Sequence, residues 1–142
     1  MEEEKNKNNK TDSIKTQEIE LVKELSQDII DHLKKIPKNK SGIIIIKGPN
    51  IGDKFYLTKD KFSIGRSADS DILLDDITVS RQHAIIEKYN EEFILRDLGS
   101  LNGSYINGEI INESKLKNGD KLQIGKYIFI FFSTTWLREN KK

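Results

Sequence analysis

The chain contains no cysteine, which excludes disulfides, thiolate nucleophiles and cysteine-ligated zinc or iron, and accords with a reducing compartment. It has two histidines, too few for a histidine-rich metal centre. Charge of one sign is also missing: 24 Lys and Arg stand against 23 Asp and Glu, a formal net charge of +1. Without a broad positive field the chain has no general pull toward nucleic acid or anionic lipid, so any cationic site must be local. Long hydrophobic runs are absent as well. The longest, Ile43 to Ile46 and Tyr127 to Phe132, fall far short of the ~20 residues a membrane helix needs. The start, Met1-Glu2-Glu3-Glu4-Lys5-Asn6-Lys7, lacks the basic-then-apolar layout of a signal peptide. These absences predict a soluble, cytoplasmic protein with neither membrane nor nucleic-acid partners.

What is present divides the 142 residues into one globular unit with an appendage. Residues 1–16 are rich in Lys, Asn and Glu and are expected to form a disordered polar tail. From Gln17 to Ile36, the apolar residues Leu21, Val22, Leu25, Ile29, Ile30, Leu33 and Ile36 recur every three or four positions, predicting one amphipathic helix over 17–36 that ends at Pro37. An isolated helix of this length is marginal in water, so its stripe needs a cover. The expected cover is a sandwich, its own or a neighbour's, with Trp136 as a possible contact and dimerisation or partner docking as the other uses. Residues 37–42 read as a linker.

Beyond the linker the period changes to that of strands. Ile43–Lys47, Lys54–Thr58, Phe62–Gly65, Ile72–Leu74, Ala84–Tyr89, Phe93–Arg96, Ser104–Ile106, Glu109–Ile111, Lys121–Ile124 and Tyr127–Phe132 are short β-branched or aromatic runs between turn signals such as Asn107-Gly108. The prediction is an all-β fold, a two-sheet antiparallel β-sandwich of about ten to eleven short strands over residues 43–133, with 134–142 as a C-terminal tail.

Three turns between these strands carry the chemistry. They are Ile64-Gly65-Arg66, Thr78-Val79-Ser80-Arg81-Gln82-His83 and Asp97-Leu98-Gly99-Ser100-Leu101-Asn102-Gly103. Arginine offers a planar, permanently charged fork of donors, serine adds a hydroxyl, and backbone N–H groups in tight turns form anion-binding concavities. The set suits a phosphate and its peptide. Ser80 and His83 invite a nucleophile-and-base reading, but a spacing of three at a loop-to-strand junction does not set that geometry. Asp69, Asp71, Asp75 and Asp76 lack the spacing and distal glutamate of a calcium loop, so they read as turn-forming, solvated carboxylates. With no triad, metal set or nucleotide-cradling loop legible, no catalytic residue, cofactor or metal is expected.

The three motifs in this order, with Asp69-Ser70-Asp71-Ile72, Ser104-Tyr105-Ile106-Asn107-Gly108, Asn118-Gly119-Asp120 and Gln123-Ile124-Gly125 around them, resemble the forkhead-associated (FHA) domain from about Ile43 to Phe132. The run from Asp69-Ser70-Asp71-Ile72 through Val79-Ser80-Arg81 is similar to that of small bacterial FHA regulators with a phosphorylatable N-terminal tail. The resemblance implies an FHA/SMAD-like sandwich whose loops at one end bind phosphothreonine peptides without catalysis. It implies that Arg66 forks onto the phosphate, that Ser80 donates its hydroxyl, and that Arg81 contacts phosphate or peptide backbone. Asn102 would hold the peptide main chain, Gly65 and Gly103 would permit the turns, and His83 would tie the loops together. Leu101 is a departure, because many members carry threonine there. Only a backbone N–H remains to reach the phosphate, at a cost of roughly 1 kcal/mol. The implied partners are phosphothreonine proteins, a serine/threonine kinase or its substrates. Thr11 and Thr16, each with isoleucine three residues on, are candidate phosphorylation sites whose modification would let the tail bind the same molecule's loops. The competing reading is a phosphate-independent structural module that assembles a protein complex.

Overall fold

The structure, a computed structural model, describes residues 26–133. They form two compact units that divide between Lys35 and Ile36. The first contributes helix α1, Gln27–Lys34. Ser26 caps it in extended backbone, its hydroxyl accepting from the Ile29 N–H at 3.2 Å, and Asp28 in the first turn suits the positive end of the helix dipole. Among the described residues the helix therefore starts only after Ser26, whereas one helix over 17–36 was expected, because a serine hydroxyl competes for the N–H groups that a helix start leaves unpaired. It also stops two residues short of Ile36, consistent with proline disfavouring helical backbone in the residue before it. Residues 17–25, both tails and Trp136 lie outside the described residues.

The second unit is a two-sheet β-sandwich. Its strands are β1 (Ser41–Lys47), β2 (Lys54–Tyr56), β3 (Lys61–Gly65), β4 (Ile72–Leu73), β5 (Ala84–Tyr89), β6 (Glu92–Asp97), β7 (Ser104–Ile106), β8 (Glu109–Ile111), β9 (Glu113–Lys115), β10 (Lys121–Ile124) and β11 (Tyr127–Ser133). One sheet has the order β2-β1-β11-β10-β7-β8 and the other β4-β3-β5-β6-β9. Every pairing is antiparallel except the two-residue contact of β3 with β4. The loop after Gly65 leads the chain back beside its own strand in the same direction.

Alternation along the strands builds the core. Ile43 and Ile45 of β1, Leu122 and Ile124 of β10, and Phe129 and Phe131 of β11 face Ile64, Ala84, Ile86, Phe93 and Leu95 of the second sheet. Phe93 meets Phe131 edge to face with centroids 5.5 Å apart. Each buried Ile, Leu or Phe side chain contributes ~1.5–3 kcal/mol, so the sheets are firmly apposed. Ile44, Ile130 and Phe132 turn to the opposite face of the first sheet and are buried there too, which accounts for the unbroken apolar runs of β1 and β11. At one end of this rigid pair the β3–β4, β4–β5 and β6–β7 loops and the β10–β11 turn come together.

Candidate functional site

The loops are joined by hydrogen bonds between residues far apart in sequence. After β3, the Arg66 N–H donates to the Ser80 carbonyl at 3.0 Å and the Ser67 N–H to the Arg81 carbonyl at 3.1 Å. This approach is possible because Gly65 has no side chain: a Cβ there would collide with the Arg81 carbonyl oxygen. The Arg66 Nε donates to the Val79 carbonyl at 2.9 Å, laying the guanidinium along the backbone that leads into Ser80. Among the described residues no carboxylate pairs with Arg66 or with the exposed Arg81. The outer N–H groups of Arg66 therefore have no acidic partner within the described chain.

The Ser80 hydroxyl oxygen accepts from the Leu101 N–H at 3.0 Å. That bond fixes the oxygen and leaves the hydroxyl proton to donate outward. The N–H of Leu101, expected to reach a phosphate, is thus spent on orienting Ser80. Below them His83 is fully buried and bridges both loops. Its Nδ1 accepts from the Ser80 N–H at 3.0 Å, so in the neutral ring Nε2 carries the proton and donates to the Gly103 carbonyl at 2.9 Å. The ring touches the Ser80 backbone and not its hydroxyl, so no nucleophile-and-base pair is assembled. Asn102 donates its amide to the Thr78 carbonyl at 3.0 Å, and Gly103 holds a positive φ of 83° behind it. Arg66, Ser80, Arg81, Leu101 and Asn102 thus lie on three interlocked loops, with Gly65, His83 and Gly103 at their joints.

The motifs and their surroundings hold further residues of the site to which the sequence alone assigns no role. Asp97 organises the β6–β7 loop. Its Oδ2 accepts from the Gly99 and Ser100 N–H groups at 3.0 Å each, and its Oδ1 from the Ser100 and Ser104 hydroxyls at 2.6 and 2.7 Å. Burial pushes its pKa up, but the Ser100 and Ser104 bonds together with the nearby His83 outweigh that and hold the carboxyl below its ordinary value. The signal was available as an Asp followed by Gly and Ser at positions two and three, an Asx-turn pattern. Thr78 had no such signal, since its hydroxyl receives the Lys126 N–H at 2.9 Å from 48 residues away. Asp76 accepts from both the hydroxyl and the N–H of Thr78, and pairs with the Lys126 ammonium at 3.1 Å. Those bonds, Thr78 first, hold its pKa down to about 2. Asp71 is bound by Lys59 and Ser63, and Asp69 by the Ser67 hydroxyl. Asp69 and Asp76 hold local turns while Asp71 and Asp76 also tie distant segments together, and among the described residues no cluster of three or more His, Asp or Glu could hold a metal ion. An open groove of about 380 Å³ runs from Thr78 and Asn102 past Tyr105 to Gln123 and Lys126. Thr11 and Thr16 lie outside the described residues.

Comparison with known proteins agrees with this architecture. The family model described as the FHA domain matches residues 62–125, which contain all three loops. The chain is 43% identical over 98 residues to the oxoglutarate dehydrogenase inhibitor of Corynebacterium jeikeium, spanning 69% of this chain and 68% of that one. It is 41% identical over 108 residues to the glycogen accumulation regulator GarA of Mycobacterium tuberculosis, spanning 76% and 67%. Among solved structures, an FHA domain studied for its phosphothreonine-dependent interactions superposes with a TM-score of 0.61 at 28% identity, covering 66% of this chain and 95% of that one. Loops, sandwich and sequence point the same way, and the chain belongs to the FHA-domain family.

Proposed function

We propose that this chain is a non-enzymatic adaptor that reads phosphothreonine in a protein partner and thereby regulates it. The observation that carries the reading is the convergence of Arg66, whose outer N–H groups have no described acidic partner, with Ser80, whose hydroxyl oxygen is fixed while its proton is free. A phosphate dianion takes a fork of charged donors and a hydroxyl better than any other common ligand of a peptide. Arg81 adds a second cation, and Asn102, across the seam from Thr78, supplies an amide for the main chain beside the phosphothreonine. The partners are phosphothreonine proteins of a serine/threonine kinase pathway in the cytoplasm, either the kinase or its substrates. The two relatives, a dehydrogenase inhibitor and a regulator, favour an enzyme as the regulated partner.

The test is titration of a phosphothreonine peptide library against the wild-type chain and Arg66→Ala. Binding that needs both the phosphate and Arg66 supports the proposal, and equal binding of the dephosphorylated peptides overturns it in favour of a phosphate-independent module. Phosphorylation of Thr11 or Thr16 would place a ligand on the same chain and close the site to other partners.

A further inference from the structure

The chain holds three Asn-Gly pairs, Asn102-Gly103, Asn107-Gly108 and Asn118-Gly119. Asparagine is thermally labile, and a following glycine, having no side chain, leaves its backbone nitrogen open to attack the asparagine's own amide. Attack needs two freedoms: the asparagine must swing its Cγ onto the glycine nitrogen, and that nitrogen must release its proton. The fold withholds them unequally. Asn107 is gripped at both ends, its Nδ2 donating to Asp120 Oδ1 and its Oδ1 accepting from the Lys121 N–H, each at 3.0 Å. Asn118 is half-buried; its Oδ1 accepts from the Ser133 N–H at 2.8 Å, and the Gly119 N–H donates to the Phe131 carbonyl at 2.8 Å. Freeing either pair therefore loosens β10 or β11, whose inner side chains belong to the core. Asn102 is exposed, and its side chain is held by the 3.0 Å donation to the Thr78 carbonyl. The Gly103 N–H donates at 2.9 Å to the Ser100 hydroxyl oxygen, a side chain and not a strand. Both restraints on this pair lie in loops, which open locally at lower cost than core strands.

We infer that Asn102 is a modification site at which water converts the side-chain amide to a carboxylate, with the Ser100 hydroxyl as the guard that slows the change. The Gly103 nitrogen loses its proton to a solvent base, and its electron pair bonds to the Asn102 Cγ. The Cγ–Nδ2 bond breaks, and the departing nitrogen takes a proton from water and leaves as ammonia, closing a five-membered imide. Water then opens the ring at one of its two carbonyl carbons, giving aspartate or its β-linked isomer. The net reaction consumes one water and releases one ammonia, with no redox change. The resulting carboxylate has no proton to donate to the Thr78 carbonyl and sets a negative charge on the same loop seam as Ser80. Conversion therefore disables the phosphopeptide site. That consequence rests on the phosphothreonine reading, whereas the chemistry at Asn102 does not.

Wild-type chain and Ser100→Ala, incubated in mildly alkaline buffer and mapped at intervals by peptide mass spectrometry, test this, with urea-unfolded chain as the reference. Unfolded, the three pairs should convert at comparable rates. Folded, Asn102 should convert at least about fivefold faster than Asn107 or Asn118. Ser100→Ala should speed Asn102 about fivefold further, the effect of one lost hydrogen bond, without speeding Asn118. Conversion of the folded chain that begins at Asn107 or Asn118, or an Asn102 rate that Ser100→Ala leaves unchanged, overturns the inference. Converted wild type, and fresh Asn102→Asp, should bind a phosphothreonine peptide about tenfold more weakly than fresh wild type. Full affinity in the converted chain overturns the disabling role. Peptide binding that Arg66→Ala leaves intact overturns the phosphothreonine reading alone, because the mass map of the three pairs is independent of it.

Discussion

Arg66 is held at its Nε and unpartnered by any described acid at its outer nitrogens, so its contribution to a ligand separates from its contribution to the fold. Arg66→Ala removes one backbone contact but, on the proposed reading, charge-assisted bonds to phosphate worth ~1.5–3 kcal/mol each. The expected outcome is phosphopeptide affinity weakened at least about tenfold with little change in melting temperature, read by calorimetry and thermal denaturation. Arg66→Lys should recover only part of the loss, because a point charge cannot reproduce the fork. Gly65 behaves in the opposite way. Its Cβ would strike a carbonyl and not a side chain that can swing aside, so Gly65→Ala should destabilise the fold by ~1–3 kcal/mol, seen as a lower denaturant midpoint, and weaken binding through displacement of Arg66 and Arg81. Much of this was legible in the sequence. Arg66, Ser80 and Asn102 stand in compact motifs whose chemistry is local. Thr78 did not show itself, because its value comes from a partner 48 residues away that only the sandwich brings near. The Leu101 N–H shows the same limit, since its partner in the described structure, the Ser80 oxygen, lies on a different loop.

At the level of elements, strands were easier to read than their ends and companions. β1 and β11 announce themselves by unbroken β-branched and aromatic runs. β9, Glu113–Lys115, carries no apolar residue and exists as an edge strand because β6 offers it a partner, with Glu113 on Arg96 at 2.9 Å. The described helix begins within its 3.6-residue stripe, which continues through Ser26, because the backbone there obeys the hydroxyl. The β6–β7 loop gives a pH prediction. The folded pKa of Asp97 is lowered, so the stability its carboxylate provides is present above the unfolded value of ~3.9 and is lost as pH falls through the lower, folded one. The Gly99 and Ser100 amides should therefore stay protected from exchange through the ordinary carboxylate range and lose protection together at more acid pH. Loss of protection at or above pH ~4 would contradict this account. Asp97→Asn should release the same two amides at neutral pH, since one amide oxygen cannot accept the four bonds the carboxylate receives.

On the scale of the whole molecule the decisive quantity is the competition between a tethered ligand and a free one. Thr11 and Thr16 belong to the same chain as the site, so a phosphate on either meets Arg66 and Ser80 at an effective concentration that tethering sets near millimolar, provided the connecting chain reaches. A free phosphopeptide with a Kd of about 10 μM would then face a competitor roughly a hundredfold above its own dissociation constant, and its apparent affinity would fall by about that factor if the two ligands were intrinsically equal. Phosphorylation of the tail should thus make external phosphopeptide binding about a hundredfold weaker, and Arg66→Ala should show no further loss on phosphorylation because its site is already disabled. Comparing unmodified and phosphorylated chain, each as wild type, Thr11→Ala and Thr16→Ala, identifies which threonine acts. Competition measured as a function of protein concentration then separates closure within one chain, which is independent of concentration, from capture between chains, which is not.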